Sequence, residues 1–379
     1  MQILHVIPTL APASGGPAEA LRQLARAYAE IGIQAEIACQ DRPDSPWIGS
    51  FAAPVHTFEG QRGVYGYSPP LRKWLAANVA RYDGVVVHGV WTYAGLAGAR
   101  AAHGRVPYAV FTHGMLDPWF RRRYRLKHMK KYLYWPVQYP VLRDARAVLF
   151  TTQLESELAL RSFWPNKWIA RIVPYGTNPP PRNVEAQKRA FQDALPQLGR
   201  RRFLLFLSRI HEKKGCDLLI EAFASVAPRH REVDLVIAGP DKDGLQARLA
   251  AMAQDFGIVE RLHWPGMLTG DAKWGALRSC EAMILPSHQE NFGVVVAEAL
   301  ACGRPTLISN QVNVWPQVEQ DHTGLVEPDT LDGTRSLLAR WFDLTDLEKT
   351  AMQERAVPSF QRRYSMQNCA LSIRELFGG

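Results

Sequence analysis

Two carboxylates, Glu290 and Glu298, bracket an apolar run, FGVVVA, in the stretch SHQENFGVVVAEALACGRP over residues 287–305. An acid entering a helix is commonly no more than a partner for the helix dipole. A carboxylate inside an apolar helix is another matter, because burial without a cation, a donor or a ligand is costly. An ionised carboxylate accepts two hydrogen bonds at once, so sugar and ribose hydroxyls are suitable partners. Taken by themselves, the two acids are equally compatible with a structural role. Upstream, SRIHEKKG at 208–215 sets Arg209 at the end of an apolar run and Lys214 just before a glycine and a helical pattern. Two cations beside a helix N-terminus form a diphosphate site, since the N–H groups and the dipole add to their charge. The plain alternative is a solvated basic loop. His113 follows another apolar run in FTHGMLDPW, much as His88 does in VVVHG; a histidine at a strand end is most often a satisfied structural residue. Asp241-Lys242-Asp243 has the D-x-D spacing that can hold Mg2+. Its place between the diphosphate-type and two-acid segments, with a glycine following, makes it a solvated turn, and no metal is expected.

These residues sit where an alternating strand–helix chain would put them. ILHVIPTL, AEIACQ, GVVVHGVW and YAVFTHG read as buried strands, and PAEALRQLARAYAEIG as a helix. In the second half RFLLFLSRI, DLVIAGP, AMILPS and PTLIS alternate with GCDLLIEAFASVA, GLQARLAAMAQDFG and GVVVAEALACG. Nearly all-apolar strands between helices imply parallel sheets covered on both faces. The strand–helix order restarts at Arg202, after a stretch rich in proline and charge. The expected division is therefore an N-terminal domain over 1–178, a linker over 179–200, a C-terminal domain over 201–357 and a helical segment over 358–379. In such doubly wound sheets ligands bind outside the carboxyl ends of the strands, which is where Ser14-Gly15-Gly16-Pro17, His88, His113, Arg209, Asp241 and Glu290 fall.

Together these segments carry a resemblance. Glu290-Asn-Phe-Gly-Val-Val-Val-Ala-Glu298 resembles the EX7E motif of the retaining glycosyltransferases of family 4, which have the GT-B fold. SRIHEKKGCDLLIEAF is similar to that family's phosphate-binding strand–loop–helix; AGPDKDG and Ser14-Gly15-Gly16-Pro17 also resemble it, and FTHGMLDPW is similar to a segment of bacterial polysaccharide members. The resemblance spans essentially the whole chain; PYGTN at 174–178 departs from a Pro-Asn-Gly segment common among relatives. It implies two Rossmann-like domains facing a central cleft, with the C-terminal helix crossing back to the first domain. It also implies roles. Arg209 and Lys214 would hold the donor diphosphate, Glu298 the ribose hydroxyls and Glu290 those of the donor sugar, with Asn291, Phe292 and Gly293 in the donor site. His113 would reach the sugar from the first domain. Gly15 and Gly16 would let backbone approach the phosphate or acceptor, and Pro265, Gly266 and Met267 of the WPGM turn would lie near the base. His113, Glu290, Arg209 and Lys214 are thus the candidate catalytic residues. The implied reaction moves a hexosyl group from a UDP- or GDP-sugar to a hydroxyl of a lipid-linked or saccharide acceptor, with retention and without cofactor or metal. Rival readings are a GT-B nucleotide-sugar epimerase and a non-catalytic membrane- or nucleic-acid-binding protein.

Charge adds a partner. The net charge is +9, and residues 1–180 hold 21 Lys/Arg against 11 Asp/Glu, so the excess lies wholly in the first half. It concentrates in WFRRRYRLKHMKKYLYWPVQYPVLR, residues 119–143, with eight Lys/Arg, seven aromatics and no acid. Such a stretch suits a solvated helix, nucleic acid or an anionic membrane surface; the donor motifs favour the membrane, and nucleic acid is not expected. No run reaches membrane-spanning length, MQILHVIPTL lacks the basic start of a secretory signal, and the five scattered cysteines make no metal pattern. A cytoplasmic protein, peripheral on the inner face of the membrane, is expected.

Overall fold

Runs of branched and aromatic residues, apolar on both faces, form the strands of two parallel sheets. The structure, a computed structural model, describes residues 1–14, 16–60, 63, 65–123 and 125–378. The chain forms two units, Met1–Asn178 with Ser365–Gly379, and Pro179–Tyr364.

The first unit carries β1 (Gln2–Val6), β2 (Gln34–Cys39), β3 (Val55–Thr57), β4 (Gly84–His88), β5 (Tyr108–Phe111), β6 (Ala147–Phe150) and β7 (Ala170–Ile172). Their order is β3-β2-β1-β4-β5-β6-β7, with every pairing parallel. β4, β5 and β6 are buried along their whole length, and Val85, Val87, Val110, Val148 and Phe150 pack with Leu71, Leu75 and Leu142 from flanking helices. The last helix, Met366–Gly378, belongs to this unit and lies against the helix Gly16–Glu30. Its Phe377 ring fills the space over Gly84 that any larger residue would need. The crossing chain is pinned by Gln23, whose Oε1 accepts from Thr177 Oγ1 at 3.0 Å and Asn178 N at 2.6 Å.

The second unit carries β8 (Arg202–Leu207), β9 (Val233–Ala238), β10 (Leu262–Gly266), β11 (Met283–Leu285), β12 (Thr306–Ser309) and β13 (Gly324–Glu327), in the order β10-β9-β8-β11-β12-β13 and again parallel. Both units are therefore doubly wound α/β sheets, the class expected from the sequence.

Two boundaries differ from the sequence reading. The stretch 179–200, read as a linker, lies in the second unit and contains a helix, Val184–Ala194. Asn183 caps it, and it buries Gln187 and Phe191 against the helix Gly270–Ser279, where Arg278 Nε donates to Gln187 Oε1 at 2.7 Å. Amphipathic periodicity outweighed the surrounding prolines. The helical segment read over 358–379 divides: the helix Asp346–Arg363 stays in the second unit, held where Asp321 accepts from Ser359 Oγ and from Arg363 Nε and Nη2 at 2.6 to 2.9 Å, and only Ser365 onward joins the first. Among the described residues no helix is long and apolar enough to cross a membrane.

Candidate active site

Strand order marks one position in each sheet. In the second unit β8 and β11 are neighbours, yet the chain leaves β8 toward β9 on one side and reaches β11 on the other. The loops above such a pair diverge and leave a crevice. Arg209 and Lys214 follow β8; Glu290 follows β11. The two loops are tied together by His288 N, which donates to Lys213 O at 2.9 Å. Gly215, at φ +66°, caps the helix Cys216–Val226 and sits so close to the Pro286 carbonyl that a Cβ would collide with it. Glycine is required there both for its conformation and for its size.

This packing brings Lys214 Nζ onto Glu290 Oε2 as an ion pair, with the lysine 5% exposed and the Glu290 side chain 23% exposed. Burial alone would raise the Glu290 carboxyl; Lys214, with Lys213 and Arg209 behind it, outweighs burial and holds its pKa below the ordinary value. Glu290 is fixed through its backbone as well, its N donating to Gln311 O at 2.9 Å and its O accepting from Asn313 N at 3.0 Å. Gly293, at φ +73°, then turns the chain into the helix Val294–Ala301. Within that helix Glu298 is buried and paired with Lys273 Nζ at 2.7 Å. Each pair leaves hydrogen-bonding capacity over: an ammonium has three donors, and a carboxylate has two oxygens.

In the first unit the corresponding position lies between β1 and β4. The loop after β1 is organised by Asp41, which accepts from Thr9 Oγ1 and Leu10 N, both at 2.6 Å. Gly16 opens the helix Gly16–Glu30, whereas Gly15 lies outside the described residues. One strand further along, His113 has φ +49°, a conformation that strains a residue with a side chain. It is imposed from both sides by Glu155. Oε1 of that buried carboxylate accepts from Thr112 Oγ1 and Gly114 N at 2.8 Å; Oε2 accepts from Thr151 N and Thr151 Oγ1 at 2.7 and 2.8 Å.

Comparison with known proteins gives the family of the chain. The model "Glycosyl transferase 4-like domain" matches residues 15–176, and "Glycosyl transferases group 1" matches 187–350. The chain belongs to the glycosyltransferases of GT-B fold. Among curated relatives, the D-inositol 3-phosphate glycosyltransferase of Corynebacterium jeikeium is 25% identical over 62% of this chain and 58% of its own length. The mannosylfructose-phosphate synthase of Agrobacterium fabrum is 23% identical over 91% of this chain and 80% of its own. The chain thus spans little more than half of the first and four-fifths of the second. A crystal structure of Anabaena HepE in complex with UDP-glucose superposes with a TM-score of 0.75 at 19% identity, covering 100% of this chain and 99% of that one; the likeness is one of fold.

The second unit places the other expected site residues unevenly. Pro265 and Gly266 end β10, where Gly266 O accepts from Gly239 N at 2.8 Å, and Met267 beside them is 65% exposed. Asn291 is half-buried, and Phe292 is buried with its ring edge-to-face against Tyr364. Arg209 is exposed. Asp241 of the D-x-D turn accepts from Leu245 N and Gln246 N at 2.9 Å, so it caps a helix. Glu155 and Lys273 were not singled out in the sequence. Thr152-Gln-Leu-Glu155 has capping-box spacing, which was a legible signal for the first; nothing local marks Lys273 as the partner of Glu298.

Proposed function

We propose that this transferase moves a hexosyl group from a UDP- or GDP-sugar to an acceptor hydroxyl with retention, without a metal. The observation that carries the reading is the convergence of Lys214, Arg209 and the N-terminus of the Cys216–Val226 helix with Glu290 at the β8–β11 switch point. Cations and N–H groups suit a diphosphate; a carboxylate with a spare oxygen suits sugar hydroxyls. In the proposed step the bond from the anomeric carbon to the diphosphate breaks and negative charge grows on the leaving oxygen. Lys214, Arg209 and the helix N–H groups stabilise that charge in place, as preorganised donors do. The acceptor oxygen bonds to the same face of the carbon, and its proton passes to the leaving phosphate. Glu290 holds the sugar hydroxyls, Glu298 the ribose, and His113 a further oxygen of the sugar.

Thermal unfolding with a panel of UDP-, GDP-, ADP- and TDP-sugars tests this. Saturating donor at about 100 times its dissociation constant adds roughly 2.7 kcal/mol. One nucleotide class is expected to stabilise the wild type and to lose most of its effect in Arg209→Ala. Stabilisation by none of them returns the chain to the non-catalytic reading. In the matching assay, transfer is expected to persist in excess chelator and to give product of unchanged anomeric configuration by NMR; loss with chelator, rescued by Mg2+, or an inverted product would overturn that part. Donor alone is expected to stay unepimerised.

We further propose that residues 119–143 rest on an anionic membrane at the cytoplasmic face, bringing a lipid-linked acceptor within reach in polysaccharide assembly. On the helix Arg125–Arg143 the apolar Leu126, Met129, Leu133 and Val137 share a helical stripe, and all are exposed, Leu133 at 85%. Arg125 and Lys130 are exposed beside them, and Trp164 lies 76% exposed on a neighbouring segment. Apolar side chains at the acyl boundary with cations at the headgroups is the interfacial pattern, and each cation near the surface adds about 1 kcal/mol. Vesicle flotation at low salt is expected to recover the protein with anionic but not neutral vesicles, and Leu133→Asp to abolish it. Equal recovery with both vesicle types would sink the proposal.

A further inference from the structure

Three imidazoles stand in a row across the first sheet. His5 lies in β1, His88 ends β4 and His113 follows β5, on three neighbouring strands. Register puts them on one face. His5 pairs with Val86, two residues before His88, and His88 pairs with Phe111, two before His113. Their ring centroids are 5.2 and 5.3 Å apart, close to the spacing of strands. Nδ1 of His5 lies 2.9 Å from Nε2 of His88, and Nδ1 of His88 lies 3.0 Å from Nε2 of His113. His5 and His88 are buried and His113 is half-buried, so only the His113 end of the row is accessible. Burial holds His5 down to about 3, His88 well below its ordinary value and His113 to about 4, so all three rings are neutral at pH 7.

A neutral imidazole has one N–H donor and one acceptor nitrogen. Two ring-to-ring hydrogen bonds among three such rings permit only two arrangements, both head-to-tail. In the first, every N–H points toward His5. That leaves a buried N–H on His5 Nε2, an atom with no hydrogen-bond partner among the described residues. In the second, every N–H points toward His113. His5 Nε2 is then a bare lone pair, and Nδ1 of His113 carries an N–H. Orphaned buried N–H groups are rarer than under-used acceptors, which selects the second. The row ends in the interior beside the ring of the fully buried Tyr28, so among the described residues no group carries a proton from His5 on to solvent. Its use is therefore to fix a tautomer and not to conduct.

We infer that His5 and His88 are positioning residues that lock His113 as its Nδ1–H tautomer, so that His113 offers a donor to a hydroxyl or phosphoryl oxygen of its ligand. The catalytic part of this inference rests on the assignment of His113 to the donor sugar. The strained backbone of His113, clamped by Glu155, sets where the ring stands; the row sets which nitrogen carries the proton.

Nitrogen-15 NMR of the imidazoles in the whole protein at pH 7 reads the tautomers directly. The wild type is expected to show the Nδ1–H form at all three histidines. In His5→Asp an ionised carboxylate at position 5 can only accept, so His88 must donate from Nε2 and His113 in turn from its own Nε2; the tautomer of His113 reverses and kcat falls about tenfold, the equivalent of one neutral hydrogen bond. In His5→Asn the amide nitrogen takes the place of Nδ1, and both the tautomer and kcat are expected to be kept. An Nε2–H signal at His113 in the wild type, or an unaltered tautomer in His5→Asp, overturns the lock. If His5→Asp fails to fold, the wild-type spectrum and His5→Asn still decide. Full activity in His113→Ala would instead remove the sugar assignment on which the kcat arm depends, and the NMR result would judge the lock separately.

Discussion

Lys214→Ala is expected to fold and to lose about 100- to 1,000-fold in kcat, the usual effect of removing one preorganised donor from a developing oxyanion. Lys214 is the one of the two proposed diphosphate cations that is buried and fixed, since its loop is docked on Pro286 and on His288 N. A fixed donor needs no reorganisation as charge develops, whereas the exposed Arg209 retains water. The fold should survive because the partner left behind, Glu290, keeps 23% of its side chain in solvent and can be hydrated. Glu290→Gln is the harsher change for stability, because it leaves the buried ammonium without its counter-charge. The two substitutions are expected to be less than additive in kcat, as for residues in direct contact. Titration supplies a second readout. Burial raises the Glu290 carboxyl, and Lys214 with Lys213 and Arg209 behind it more than reverses this, so removing the nearest of these cations moves the acid limb of the pH–rate profile to higher pH. In the wild type the depressed pKa means that the pair's stabilisation is present above the unfolded carboxyl value and is lost as pH falls through the lower folded one. An Lys214→Ala enzyme within threefold of wild-type kcat, or an unmoved acid limb, would contradict the assignment.

How much of this was legible depended on where each residue gets its support. β4, β5, β8, β9 and β12 are buried on both faces and so are written as apolar runs that no other element explains. β3 (VHT) and β7 (ARI) are three-residue edges without a buried residue, and carry no such run. β10 contains Pro265, which reads as a turn, yet it is an edge strand, where proline is tolerated. The cost of burying Glu298 required some partner, and there is one; that it is Lys273 could not be read, because the pairing is made by the packing of two helices. The resemblance pointed to Lys214 and Glu290 separately, but not to each other. Their ion pair follows from β8 and β11 being neighbours, a fact of strand order that local sequence does not contain. His5 was invisible as a site residue for the same reason, since a single histidine in an apolar strand says nothing until its neighbours across the sheet are known.

Glu155→Ala is expected to lower both stability and activity, in contrast to Lys214→Ala. Its carboxylate accepts four hydrogen bonds, two of them from the backbone N–H groups of Gly114 and Thr151. The hydroxyls of Thr112 and Thr151 can rotate to other partners; the two N–H groups cannot, and each orphaned donor costs about 1–3 kcal/mol. A loss of about 3–4 kcal/mol follows, lowering the melting temperature of the first unit by roughly 10 °C. Released on both sides, His113 has no reason to keep φ +49°, and hydrogen exchange at Gly114 and Thr151 should accelerate before global unfolding. Glu155→Gln separates hydrogen bonding from charge. The amide oxygen can still serve Thr112 and Gly114, but its NH2 group faces Thr151 N, donor against donor, and an intermediate loss of about 2 kcal/mol is expected. The pH dependence is opposite in sign to that of Glu290. Burial raises the Glu155 carboxyl by more than its four donors lower it, so its folded pKa lies above the unfolded one. The associated stability is full below the unfolded value and declines as pH rises through the folded one. Glutamine has no such transition. Urea unfolding of the wild type and Glu155→Gln at pH 4 and pH 7 should therefore show a stability gap that narrows as pH rises. A gap that widens would mean that the four donors outweigh burial, and that Glu155 grips the His113 loop as a low-pKa carboxylate.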